Sequence, residues 1–450
     1  MSGGHTRLRI GCGAGFSGDR LDASVLLAEQ GKLDWLAMEC LAERTIALAQ
    51  LRRRKQAAEG FDPQLERRMQ ALLPIACQSG TRIITNMGAA NPLGAGQTIV
   101  ELARRLGLHV RIAVVSGDDV LDRLDLRTPA METQRSLFEH GPIVSANAYV
   151  GADAILEAID SGAEVIVTGR VADPSLFVAP IAHRFGWAMD DWDHLAHATC
   201  VGHLLECAGQ ICGGYFADPG RKEVPDMAHL GFPYADVTPD GVATIGKVEG
   251  TGGRITLATV KEQLLYEVTN PFGYVTPDVI ADFSSVVVEE AAPDRVVVSG
   301  ARGKPRPSEL KVSVGYLAGF VGEGEIAYAG RNALGRAELA GRIVQERLAG
   351  RFDGLRVDLV GVSSLHGRPL DPSARPYEVR LRVAARAPTA EQAALIGEEV
   401  EALYTNGPAG GGGARSRVYE QVGIVSSLMQ RRDVVPRVTL LSSMSHAEAL

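Results

Sequence analysis

The sequence predicts an α/β fold, a mostly parallel sheet with helices on both faces, plus a smaller C-terminal α+β domain. Three observations lead there. Short apolar, β-branched runs alternate with helical stretches through the first 190 residues; five of those runs end in small or polar residues; and the alternation stops near Asp191. Alternation of this kind implies βαβ units, whose strands are buried on both faces and whose crossovers are right-handed.

Taken in order, residues 7–12 are an expected strand and 21–30 an amphipathic helix. A strand at 34–39 is followed by helical patterns at 41–59 and 63–79. Next come a strand at 81–86, a helix at 97–106 and a strand at 110–115. A strand at 143–146, a helix at 152–161, a strand at 164–168 and a helix after Pro174 complete the alternating part. Beyond it, 194–208 is helical and 234–248 reads as a hairpin turning at Asp240-Gly241. A helix at 259–268, strands at 286–299 and 311–316, and a helix at 337–348 follow. The tail holds strands at 357–363 and 377–384, a helix at 390–404, a glycine-rich loop and a strand at 435–441. The expected division is therefore 1–350, with 190–335 as a β-rich extension contributing to the site, and 351–450, split near Ala349-Gly350.

Composition narrows the function. A chain of 450 residues exceeds what one core supports, about 250–300 residues. Aromatics at 5% beside 51 glycines favour backbone-lined pockets over stacking platforms. A net charge of −8 argues against nucleic acid as a partner. The basic run Arg52-Arg53-Arg54-Lys55 reads as a solvated helix face. Met1–His5 leads into a polar strand start without an apolar h-region, and no window reaches ~18 uninterrupted apolar residues. Neither secretion nor a membrane span is expected. The six cysteines form no Cys-x-x-Cys pair, which suits reduced thiols in the cytoplasm. No His-Glu-x-x-His or His-x-His spacing occurs, so no metal is assigned.

In open α/β sheets ligands bind beyond the carboxyl ends of the strands. Those ends here carry residues 13–19, Glu39, 86–92, 116–119 and 168–174. The stretches 13–19, 34–43 (DWLAMECLAE), 85–96 (TNMGAANPLGAG), 116–120 (SGDDV), 168–177 (TGRVADPSLF), 202–219 (GHLLECAGQICGGYFADP), 247–267 and 406–415 (NGPAGGGGAR) resemble the acyclic terpene utilisation (AtuA-type) family, in order from about residue 7 to 440. The resemblance implies catabolism of branched acyclic terpenoids and related acyl-CoA acids. It transfers no catalytic residue.

The candidate residues follow from the strand ends. Gly13-x-Gly15-x-x-Gly18, with Glu39 ending the next strand, matches a dinucleotide fingerprint. Against that, Asp19 and Asp22 put negative charge where phosphate would sit, so Gly15 and Glu39 also suit another ligand or a plain turn. No cofactor is expected, with a dinucleotide as the alternative. Asn86, Asn91 and Ser116 would orient a substrate and Asp118 would serve as a base, or else these residues only shape turns. Arg170 would clamp an anion as a bidentate donor, or pair with Asp173 at a helix start.

His203 and Cys207 share a helix face, the spacing of a thiol nucleophile and its base, although a buried cysteine fits equally. Glu206 is a candidate acid or base, and the Tyr215 phenol a donor to an oxyanion. The glycines around Gly411, flanked by Arg415, would form an anion nest, or simply a flexible loop. The expected protein is a cytoplasmic enzyme of branched acyl-CoA or small-acid catabolism, a hydratase, lyase or isomerase using general acid/base chemistry. The alternatives are a Cys- or Ser-dependent hydrolase, a non-catalytic partner of a carboxylase complex, and a dinucleotide enzyme. Its partners would be a small-molecule or acyl-CoA substrate and other copies of itself in a homo-oligomer.

Overall fold

Strand β1 (Leu8–Cys12), β2 (Trp35–Met38) and β3 (Arg82–Thr85) pair in parallel in a computed structural model that describes residues 7–369, 371 and 373–444. Met1–His5, where no leader is expected, lies outside the described residues. Beyond β3 the order is β6 (Val165–Thr168), then β4 (Arg111–Ser116), both parallel to it. The side chains of β2 and β6 are buried throughout, as apolar strands covered on both faces must be. Helices α1 (Leu21–Gln30), α2 (Glu43–Lys55), α3 (Leu65–Ser79), α4 (Pro92–Arg105) and α5 (Asp153–Asp160) make the crossovers, the last after strand β5 (Ile143–Ala148). Helix α4 begins five residues earlier than expected, because Asn91 caps it and Pro92 occupies its first turn.

The sheet continues antiparallel on both sides. On β1 lie β7 (Pro233–Val237) and β8 (Ala243–Lys247), the expected hairpin, with Gly241 at φ +82° in its turn. Residues 286–299 are two strands rather than one, Val287–Ala292 and Arg295–Ser299, reversed through Asp294 at φ +55°. At the other edge Arg437–Ser442 pairs antiparallel with β4, completing ten strands. The expected helices after Pro174 and around 194–208 are α6 (Ser175–Phe185) and α7 (Trp192–Leu205).

The chain divides into two compact units. One holds the residues up to Leu137, Val144–Gly315 and those from Ile424 onward; the other holds Phe138–Ile143 and Tyr316–Gly423. The expected limits of 351–450 therefore shift at both ends. The strand after residue 309 runs from Glu309 to Ala329, although Gly315, Gly319, Gly322 and Gly324 weaken its pattern. The final strand belongs to the first unit, since Val438 and Leu440 face β4 partners. In the second unit the sheet order is Arg356–Val360, Glu378–Ala387, the part of Glu309–Ala329 from Tyr316 onward, and the part of Gly412–Gln430 up to Gly423. Helices Ala333–Arg347 and Ala390–Glu401 pack on it around Ile326, Leu381, Val383, Ile396 and Val400. Among the described residues no helix is long and apolar enough to cross a membrane.

Candidate active site

Strand ends β1, β2 and β6 aim their loops into one cavity of about 800 Å³ within the first unit. That size suits a small organic ligand. Six of the residues singled out in the sequence line it together: Gly15, Glu39, Arg170, Asp173, Glu206 and Cys207. The rule that strand ends make sites thus brings distant segments to one place.

Glu39 follows the last residue of β2. One of its oxygens accepts from the Leu41 amide at 2.7 Å and from Asn86 Nδ2 at 2.9 Å. Asn86 follows β3, is fully buried, and also accepts from the Cys40 amide at 2.7 Å. It is a positioning residue and does not line the cavity. Burial pushes the Glu39 carboxyl up; Arg170 and these hydrogen bonds oppose it.

Arg170 ends β6's turn with a side chain only 1% exposed. It donates to Asp173 at 2.7 Å and to the Leu41 carbonyl, and its guanidinium sits 4.0 Å over the Tyr149 ring. Burial works against its charge, but Asp173, Tyr149, Glu39 and Glu43 hold it protonated. The clamp expected for a substrate anion is therefore engaged within the protein. Burial also drives the Asp173 carboxyl well above its usual range, with Arg170 opposing and the charges of Glu39, Glu206 and Glu43 adding.

Glu43, the first residue of α2, behaves differently. Burial raises it, yet the Tyr149 hydroxyl, Arg170 and Lys311 bring its carboxyl down to about 2. Lys311 lies 3.1 Å from it. One cavity thus holds a firmly ionised carboxylate beside carboxyls pushed toward the protonated form. Such separation of carboxyl groups is what acid/base chemistry requires.

Glu206 follows the end of α7, where His203 Nδ1 meets its Oε1 at 3.1 Å. The histidine ring is stacked on Phe283 and tilted against Tyr274. His203 therefore serves Glu206 and has no hydrogen bond to Cys207. Burial, then the Glu206 charge, push the Cys207 thiol up, which disfavours the thiolate a nucleophile needs. The family model described as acyclic terpene utilisation family protein AtuA matches residues 8–440. The chain belongs to that family. No curated protein and no solved structure matches it.

The remaining candidates of this AtuA-family chain fall elsewhere. Asp118 is buried behind Arg170, accepting from the Arg170 amide at 2.9 Å and Asn147 Nδ2 at 2.8 Å. A Cβ on Gly169 would lie 2.2 Å from its carboxyl oxygen, so glycine is what admits this contact. Asn91 caps α4 and donates to the Ala57, Ala58 and Glu59 carbonyls. Ser116 reaches only the Arg437 carbonyl, at 3.5 Å, across the sheet edge. Tyr215 is 86% exposed and does not line the cavity; Tyr149, Tyr266 and Tyr274 are the phenols that do. Gly411 and Arg415 lie in the second unit, where Gly411 packs against Ile326 and Tyr328 and Arg415 is an exposed strand residue. The first glycine turn offers no open nest. The Gly15 amide donates to Asp19 at 2.9 Å, and a Cβ there would strike the Cys207 backbone. Among the described residues no group of three or more His, Cys, Asp or Glu could hold a metal.

Sequence reasoning missed Glu43, Tyr149 and Lys311. Glu43 had a signal, lying four residues after Glu39 in the same family-like stretch. Lys311 had none, because it comes from a strand far along the chain.

The burial of Asp118 has a measurable consequence. Its carboxyl is pushed up to about 6, chiefly by burial. A carboxyl raised in the folded state stabilises the fold below the unfolded value, near 3.9, and loses that contribution as pH rises through 6. A rise of that size corresponds to about 3 kcal/mol. Asp118→Asn should therefore be as stable as the wild type or more stable at pH 8, and its unfolding free energy should change less between pH 4 and 7. Urea unfolding across that range checks this. A variant that loses stability at pH 8 would show that the ionised carboxylate is the form that holds Arg170.

Proposed function

We propose that this cavity is the active site of a cytoplasmic enzyme of acyclic terpene utilisation that adds, removes or moves a proton on a branched acyl-CoA, as a hydratase, lyase or isomerase. The observation that carries the reading is the convergence of Glu39, Asp173 and Glu206 around one buried guanidinium, with Glu43 ionised beside them. Asp173, pushed toward its protonated form, is suited to donate a proton; Glu39, with one oxygen fixed by Asn86 and Leu41, is suited to accept one through the other. Arg170 holds Asp173 in place and offsets the charge that develops. Membership of the family supports the terpenoid setting. The six free cysteines agree with a reducing compartment.

A hydratase takes its carbon-bound proton from solvent, and a lyase or isomerase that passes the proton through a carboxyl open to water exchanges it there. The purified protein should therefore incorporate deuterium from D₂O into a branched acyclic thioester, read by NMR, and Asp173→Asn should lower that rate at least a hundredfold, within the range expected of a general acid or base. If saturated, α,β-unsaturated and 3-hydroxy branched thioesters all fail to exchange or turn over with the folded wild type, the proposal falls.

A further inference from the structure

The charge around the cavity says what kind of head group can enter it. Six carboxyl groups line it against two cations, Arg170 and Lys311. Both cations are engaged, Arg170 by Asp173 and the Leu41 carbonyl, Lys311 by Glu43. Neither cation of the lining is without a carboxylate beside it to offset its charge. A free carboxylate would also enter an enclosed space where its repulsion by fixed carboxylates is poorly screened. A neutral oxygen meets the opposite situation. Carboxyls held toward the protonated form can donate to it, and Tyr266 and Tyr274 add phenols.

Two further observations mark this as a ligand site and not just an acidic cluster. Arg170 lines the cavity, is fully buried, and its Nε has no protein partner. Around the mouth, Met131, Val275 and Leu428 line the cavity and yet are 51%, 64% and 43% exposed. Exposed apolar side chains continuous with a cavity mark a place for an apolar ligand.

We propose that the cavity takes a ligand with an uncharged oxygen head, an alcohol or a thioester carbonyl, on a branched hydrocarbon tail, and excludes the corresponding free carboxylate. This rests on the cavity being the active site and narrows the substrate to the thioester or alcohol level of a pathway. The free acid must then be activated, or the alcohol supplied, by a separate ligase or reductase-type reaction.

Calorimetric titration with four probes sharing one branched ten-carbon tail tests it: the primary alcohol, the N-acetylcysteamine thioester, the carboxylate and the ammonium, at pH 8 and low salt. The alcohol or the thioester, or both, should bind, and the carboxylate should bind more than tenfold more weakly than the better of them. Binding by only one of the two says which source supplies the head and supports the proposal equally. Leu428→Trp, which narrows the mouth, should weaken every probe that binds. If the carboxylate binds as tightly as the neutral probes and Leu428→Trp weakens both, the cavity remains the site and the head-group inference is wrong. Ammonium binding more than tenfold tighter than either neutral probe overturns it too, making the cavity a cation site. If no probe binds, or Leu428→Trp affects none, the active-site reading falls and takes this inference with it.

Discussion

Arg170→Met should cost the fold up to about 3 kcal/mol, the low end of what removing one partner from a buried ion pair costs, because the Asp173 side chain is 34% exposed and keeps some contact with solvent. The loss has three parts. Asp173 loses its cation in a place where Glu39 and Glu206 already raise its carboxyl. The Leu41 carbonyl loses its donor, and the Tyr149 ring loses the guanidinium stacked on it. A methionine fills much of the volume but supplies none of these. Arg170→Lys should recover part of the loss, because an ammonium restores the charge but cannot donate in the planar, forked geometry. Urea unfolding at pH 7 measures all three proteins. Asp173→Asn in the Arg170→Met background should restore part of the stability, since it relieves the first of these losses and leaves the other two. A single variant as stable as the wild type would show that solvent already satisfies this pair. The sequence leaves Arg170 as an anion clamp or a partner of Asp173; its 1% exposure and its ion pair with Asp173 are those of the second.

The second large effect separates activity from stability. Glu39→Gln should lower the proton-exchange rate by 10²–10⁴ while leaving the fold intact or firmer above pH 7. Gln preserves the oxygen that accepts from Asn86 and Leu41. Burial raises the Glu39 carboxyl, so its ionisation works against the folded state as pH rises, and Gln carries no such cost. As pH rises above the ordinary carboxyl value, the variant should therefore lose less stability than the wild type. Exchange kinetics and urea unfolding on the same preparations test both halves. Full activity with lowered stability would reassign Glu39 to the wall of the cavity, and Asp173 and Glu206 would then carry the chemistry.

Much of the first unit was legible in the chain. The alternation of apolar β-branched runs with helical stretches sets the parallel strands, because a strand buried on both faces can be read without its neighbours. The strand ends then point to Glu39, Arg170 and Asp173, which line one cavity; Glu206, at the end of α7, was singled out from a family-like stretch. Membership of the AtuA family was also carried by sequence, through motifs spread from residue 8 to 440.

Tertiary structure alone sorted those residues by role. Asn86 and Asp118 have the same local signature as Glu39 and Asp173, a polar residue just past a strand. Which of them faces the cavity and which lies behind it depends on the neighbouring strand ends. Asn86 faces Glu39, and Asp118 faces the backbone of Arg170. The same holds for charge. Glu39 and Glu43 are four residues apart, yet burial raises one while Tyr149, Arg170 and Lys311 lower the other to about 2. A carboxyl's ionisation is set by the burial and charges around it, and those come from segments more than a hundred residues distant in the chain. Likewise Arg437–Ser442 was recognisable as a strand, but only pairing with β4 decided which unit it joins. Local pattern specifies that a strand forms; the partner that satisfies its hydrogen bonds is chosen by the fold.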